Sequence, residues 1–212
     1  MKKIEVFLAG DSTVQTYKTA DAPQAGWGQY IDQYFDKNIT FHNHAIGGRS
    51  SKTFIEESRL DSMLQEMKVD DYLLVQMGHN DSTISRQERY TEPYTTYKQY
   101  LQLFIDGARK KQSVPILITP VARLHVEDGQ FINDFPDYCR AMKELAEENS
   151  VQLIDLNTFS LEYYRSIGYE ASKKLFMISV NGTDCTHFTE AGAKITAEIV
   201  ATELTKSLSL CK

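Results

Sequence analysis

The sequence predicts a three-layer α/β domain, a mostly parallel sheet covered by helices on both faces. Five short apolar, β-branched runs recur along the chain, and segments between them repeat apolar residues at helical spacing. Strands that alternate with helices in this way close by right-handed crossovers, which makes the sheet parallel and buries both of its faces.

The first run, IEVFLA (4–9), passes directly into AGDSTVQ, so Gly10, Asp11 and Ser12 stand at its carboxyl end. ITFHN (39–43) is the second and leads into NHAIGGRSS; DYLLVQM (71–77) is the third and leads into MGHNDS. VPILIT (114–119) and VQLIDL (151–156) complete the set. Tyr97, Tyr100, Leu101, Phe104, Ile105 and Ala108 recur at i, i+3, i+4, i+7, i+8 and i+11, which marks the buried stripe of a helix. Tyr138, Met142, Leu145 and Ala146 repeat the pattern, with Asp134 as the expected N-cap. A last helix is expected over roughly 189–208, starting at Thr189 and carrying Ile195, Ile199, Val200 and Leu204 on one face. No internal repeat, low-complexity tract or Pro-, Gly- or Ser-rich linker interrupts the chain, so residues 1–212 are read as a single domain. The least regular parts are 16–28, 82–94, 122–135 and 170–188.

Composition narrows the function. The 212 residues are 42% hydrophobic, enough for a substantial core, and carry a net charge of -6. No basic patch suited to a phosphate backbone is present, so nucleic acid is not an expected partner. Three widely spaced cysteines (Cys139, Cys185, Cys211) form no C-x-x-C pair, which argues against a disulfide framework or structural zinc. Cys185 adjoins Asp184, but a free cysteine is more often a small packed residue than a nucleophile. At the N-terminus two lysines precede IEVFLAG, yet Glu5 interrupts that run and no A-x-A site follows. No apolar stretch approaches the ~20 residues of a membrane span. A cytoplasmic protein that does not engage a membrane is the expectation.

In an open parallel sheet the chemistry belongs at the carboxyl ends of the strands. Ser12 there can expose its Oγ at the top of the sheet, or Asp11 and Ser12 can simply cap a helix. Gly47 and Gly48 after the second run can let the backbone approach a ligand, or can form an ordinary turn. IGGRSS lacks both G-x-G-x-x-G and a G-K-[ST] ending, so nucleotide binding has little support. After the third run, Asn80 can donate its amide N–H to a developing oxyanion. His79 and Asp81 can be metal ligands only if partners lie elsewhere at ligand spacing, and none is evident. Asp184 and His187 stand three positions apart in NGTDCTHFTEAGAK, where the carboxylate can orient the ring, or where both simply belong to a turn before the last helix. Together these positions supply a nucleophile, N–H donors and an oriented base, the parts an acyl-transfer site requires.

With those residues in view, the chain resembles the SGNH (GDSL-like) hydrolase superfamily. GDS, a glycine after the second strand, GHND and D-x-x-H match its four blocks in order, from about residue 5 to residue 190. The resemblance implies a flavodoxin-like five-stranded parallel sheet of order 2-1-3-4-5. It also implies a triad of Ser12 as nucleophile, His187 as base and Asp184 as its orienting partner. The implied oxyanion donors are the Ser12 and Gly48 backbone N–H groups and the Asn80 side chain; no cofactor or metal is implied. Block one reads GDST rather than GDSL, which leaves the triad intact. Finer features (AGDSTVQ, GWGQ, NHAIGGRSS, MGHNDS and ITPVAR) are similar to rhamnogalacturonan acetylesterases, which remove acetyl groups from pectic backbones. Candidate substrate contacts are Asp11, Trp27, Arg49 and His79, although Trp27 can equally pack the core. Arg86, Arg89, Arg123, His125 and Asp134 make segments 82–94 and 122–135 polar, which suits a sugar, even an anionic one, better than a lipid. The expected substrate is an acetylated oligosaccharide. Another esterase of the same fold, such as an acetylxylan esterase, a lysophospholipase or a thioesterase, and a non-catalytic carbohydrate-binding protein are the alternatives.

Overall fold

The computed structural model describes residues 3–208. Lys2 and Cys211, both weighed above, lie outside the described residues. Five strands form one parallel sheet: β1 (Ile4–Gly10), β2 (Ile39–Asn43), β3 (Tyr72–Gln76), β4 (Val114–Ile118) and β5 (Gln152–Ile154). Their order is β2-β1-β3-β4-β5. This is the order and the fold class expected from the sequence. Val6 pairs with both Phe41 and Tyr72, Tyr72 with Val114, and Ile116 with Gln152. β3 is buried along its whole length, as a central strand covered on both faces must be.

The pleat sends alternate side chains to two cores. Phe7, Ala9, Leu73, Val75 and Leu117 face one cluster, while Val6, Leu8, Leu74, Ile116 and Ile118 face the other. The first cluster is closed by α1 (Ser51–Glu56), α2 (Arg59–Glu66), α3 (Lys98–Lys110) and α4 (Pro136–Glu148). The second is closed by α5 (Leu156–Ile167), which precedes the short α6 (Tyr169–Lys173) and α7 (Ile178–Asn181), and by α8 (Glu190–Leu208). The stripe of α3 buries Leu101, Phe104, Ile105 and Ala108, with Tyr97 just before it.

Two expectations move. Asp134 does not cap α4: the helix starts at Pro136, whose fixed φ suits the first helical position, and Asp134 is taken by His125 Nδ1 at 2.6 Å. Along α8 the fully buried face is Ala193, Ala197, Val200, Ala201 and Leu204, while Ile195 and Ile199 are only partly buried at its margin. The small residues let the helix lie close to its neighbours, and Gly192 is the closest approach. A Cβ built there would stand 2.0 Å from the Leu175 carbonyl oxygen. Gly192→Ala should therefore destabilise the protein by about 1–3 kcal/mol despite alanine's better helix propensity, read as a lower urea midpoint at unchanged m-value. An unchanged or higher midpoint would show that this contact does not limit packing.

Candidate active site

Ser12 stands one residue beyond β1 on a tight turn in which the Val14 and Gln15 N–H groups both donate to the Asp11 carbonyl. Asp11, Thr13 and Val14 are buried, while Ser12 is partly exposed. Asp11 shapes the turn from inside: its Oδ1 accepts the Thr13 N–H at 2.9 Å and the Thr13 hydroxyl at 2.8 Å. Its Oδ2 faces His79 Nδ1 at 3.1 Å, and the other ring nitrogen faces the Val121 carbonyl at 2.9 Å. Burial pushes the Asp11 carboxyl up, but the charge and hydrogen bond of His79 and the two Thr13 donors outweigh it and hold the carboxyl below its ordinary value. The network continues away from the site. Gln76 Nε2 donates to Thr13 Oγ1 at 2.6 Å, and Trp27 Nε1 donates to Gln76 Oε1 at 2.8 Å.

The candidate base, His187, comes from the turn between α7 and α8. Asp184 Oδ2 lies 2.7 Å from His187 Nδ1, and His187 Nε2 lies 3.0 Å from Ser12 Oγ. This joins side chains 175 residues apart in sequence. The turn is fixed from both ends: Ile178 N–H donates to the Asp184 carbonyl at 2.7 Å and Met177 N–H to the His187 carbonyl at 2.8 Å. Asp184 Oδ1 also accepts the backbone N–H groups of Thr186 and His187, each at 2.9 Å. Burial raises the Asp184 carboxyl, yet those backbone bonds, followed by the bond and charge of His187, hold it below the ordinary carboxylate range. Ionised, it favours the imidazole tautomer that leaves Nε2 free to accept the Ser12 proton.

The candidate oxyanion donors lie on the other loops. Gly47 packs against Ser12, and its N–H is held by Gln15 Oε1. Gly48 follows at φ +80°, a left-handed conformation that favours glycine. Asn80 Nδ2 donates to the Arg49 carbonyl at 2.8 Å, which leaves its second N–H available. Among the described residues the Ser12 and Gly48 N–H groups have no protein acceptor. Unspent N–H donors of this kind, on loops at the same end of the sheet as Ser12, are what a developing oxyanion requires.

Other sequence candidates fall outside this role. Trp27 is 1% exposed and packs in the core, so it faces no sugar. Asp11 and His79, at 0% and 4% exposure, bond each other beneath the serine and present no surface to a substrate. Arg49 is partly exposed, with Nη1 on the Gly47 carbonyl at 3.0 Å and Nε on Glu57 at 3.1 Å. Cys185 holds the site by its backbone, accepting the Leu124 N–H at 2.9 Å, while burial and the Asp184 charge raise its thiol. Sequence reading did not single out Gln15, which ties Gly47 to the serine turn, or Tyr17, whose hydroxyl donates to the Ser12 carbonyl at 2.9 Å. Both are plain polar residues whose partners lie in loops that only the fold brings together.

Asp81 also has a structural task. It is buried and accepts the Ser51 N–H at 3.1 Å, the Ser51 hydroxyl at 2.5 Å and the Thr91 hydroxyl at 2.9 Å, tying the loop after β3 to the start of α1. Burial outweighs these donors and raises its carboxyl to about 6.

The GDSL-like Lipase/Acylhydrolase family matches residues 6–200. A protein described as a probable rhamnogalacturonan acetylesterase, YesY of Bacillus subtilis, is 56% identical over 196 residues, covering 92% of this chain and 90% of that one. The rhamnogalacturonan acetylesterase RhgT of the same organism is 41% identical over 210 residues, covering 94% and 89%. Among solved structures, the Bacillus subtilis protein YxiM superposes with a TM-score of 0.86 at 30% identity, over 97% of this chain and 57% of that one. An acetylxylan esterase from Geobacillus stearothermophilus, Axe2, superposes with a TM-score of 0.70 at 15% identity over 94% and 93%, a likeness of fold.

The Asp81 geometry predicts a pH effect on stability. Its folded value lies above the ordinary 3.8, so the stability it contributes is present below 3.8 and is lost as pH rises through about 6. Relative to Asp81→Asn, wild type should lose roughly 2–3 kcal/mol between pH 4 and pH 7 in urea unfolding. A difference that stays flat or grows with pH would contradict this.

Proposed function

This chain belongs to the GDSL-like lipase/acylhydrolase family, and from that premise we propose that it is a serine esterase that removes O-acetyl groups from rhamnogalacturonan oligosaccharides. The observation that carries the mechanism is the line from Asp184 through His187 to Ser12, with gaps of 2.7 and 3.0 Å. Ser12 Oγ attacks the acetyl carbonyl carbon while His187 Nε2 takes its proton, and Asp184 stabilises the imidazolium that forms. The carbonyl oxygen, now negative, is received by the Ser12 and Gly48 N–H groups and the free N–H of Asn80. The tetrahedral centre collapses, the C–O bond to the sugar breaks, and His187 returns its proton to the departing sugar hydroxyl. Water, deprotonated by the same nitrogen, then attacks the acetyl ester of Ser12; acetate leaves and the serine is re-protonated.

The relatives named for rhamnogalacturonan support the substrate, at identities of 56% and 41% over nearly the whole chain. We take residues 1–212 to act as one domain and the enzyme to be cytoplasmic, working on imported oligosaccharide rather than intact polymer. Asp11 and His79 are positioning residues beneath the nucleophile, not substrate contacts.

Acetate released from acetylated rhamnogalacturonan oligosaccharides, acetylated xylan oligosaccharides and acetylated monosaccharides tests the assignment. The first should be the best substrate, and activity on simple esters should fall steeply as the acyl chain lengthens beyond acetyl. A wide preference for xylan fragments would overturn the pectic assignment. Ser12→Ala should abolish turnover, and Asn80→Ala should lower kcat by on the order of 10²–10³. Equal turnover by wild type and Ser12→Ala would overturn the mechanism.

A further inference from the structure

We propose that Arg123 is a specificity-determining residue that binds the carboxylate of a galacturonate unit next to the acetylated sugar; this rests on the rhamnogalacturonan reading above. Arg123 follows β4, and the backbone on each side of it is fixed to the neighbourhood of the candidate triad. The Val121 carbonyl bonds His79, the partner of Asp11, while the Leu124 N–H donates to the carbonyl of Cys185, which lies between Asp184 and His187. The side chain is partly buried, and its guanidinium lies over the Phe135 ring at 4.9 Å. Phe135 in turn meets the edge of His79 at 4.7 Å between centroids.

That arrangement holds a cation in place without neutralising it. Among the described residues Arg123 makes no ion pair, and its Nε is buried with no hydrogen-bond partner. A guanidinium over an aromatic ring with no ion pair keeps its charge, and its fork of N–H donors matches the geometry of a carboxylate. A second orphan lies one residue before Phe135. Asp134 Oδ2 is buried without a partner while Oδ1 is held by His125, and the Asp134 charge reaches the Cys185 thiol. An unneutralised guanidinium, on a segment whose backbone is bonded to the turn that carries Asp184 and His187, matches the carboxylate of a uronic acid. Arg89, on the loop after β3, also has a buried unpaired Nε, but its Nη2 is spent on Thr83 Oγ1 at 3.4 Å.

The test compares acetylated rhamnogalacturonan oligosaccharides with the same oligosaccharides after their galacturonate carboxyls are reduced to alcohols. Wild type should show a kcat/KM at least about tenfold higher on the carboxylate form, carried mainly by KM. Added salt should raise that KM more than the KM for the reduced form. R123Q should lose most of this preference, and R123K should keep part of it. Thermal unfolding checks that each variant is folded, and R123K, which retains the charge, supplies the comparison if R123Q does not fold. A variant that loses activity equally on both forms would overturn the proposal, as would a wild type that does not distinguish them. A wild type inactive on both forms yet active on xylan fragments would overturn the rhamnogalacturonan reading, and this proposal with it.

Discussion

The arrangement at the top of the sheet depends on one buried carboxylate. Asp11 has no exposed surface, and its two oxygens are divided between Thr13 and His79. The first oxygen folds the turn that leaves Ser12 facing outward at the end of β1. The second draws in the loop after β3 and, through the Val121 carbonyl, the segment after β4. Without that charge two Thr13 donors and one His79 nitrogen would face an interior with nothing to accept them, at about 1–3 kcal/mol each. Three loops would loosen together. Burial of an unpaired carboxylate would ordinarily be prohibitive; here the same contacts that satisfy it also assemble the site.

Around that centre the work is divided between a rigid sheet and loops pinned by backbone bonds. β1 carries Ser12, the proposed nucleophile, and the loops after β2 and β3 carry Gly48 and Asn80, the proposed donors. The Asp184–His187 turn is held to residues 177 and 178 by main-chain hydrogen bonds rather than by side chains alone. α8 starts three residues after His187 and is locked against Leu175 at Gly192, so the packing of the last helix reaches the position of the imidazole. Catalytic geometry that tolerates little error needs this kind of support from elements that do not touch substrate.

Much of this was legible from residue order. The five apolar runs mark the five strands because a covered parallel sheet needs continuous β-branched burial, and ITFHN coincides with β2 from end to end. The fifth run is cut to three residues because the chain already turns into α5 at Asp155, its N-cap position. The blocks at the strand ends named Ser12, Asp184 and His187, which the fold brings within hydrogen-bond reach of one another. What failed to read through was partnership. Asp134 looked like an N-cap because nothing local announces that His125, nine positions earlier, will claim it. Asp11 and His79 looked like ligand contacts because polarity in a motif does not reveal burial. The segment 122–135 looked irregular, yet Val126–Glu127 and Gln130–Phe131 pair across Asp128 and Gly129, both at positive φ. That Asp-Gly pair is a hairpin signal, weakened here because its strands are only two residues long.

The central claim is that His187, oriented by Asp184, activates Ser12. Reaction with a fluorophosphonate, followed by peptide mass spectrometry, tests it most directly because the reagent reports an activated serine without any sugar being bound. Label should appear on Ser12 alone, and His187→Ala should slow labelling by on the order of 10³ or more. Label on a different serine, or an unchanged rate in His187→Ala, would contradict the account.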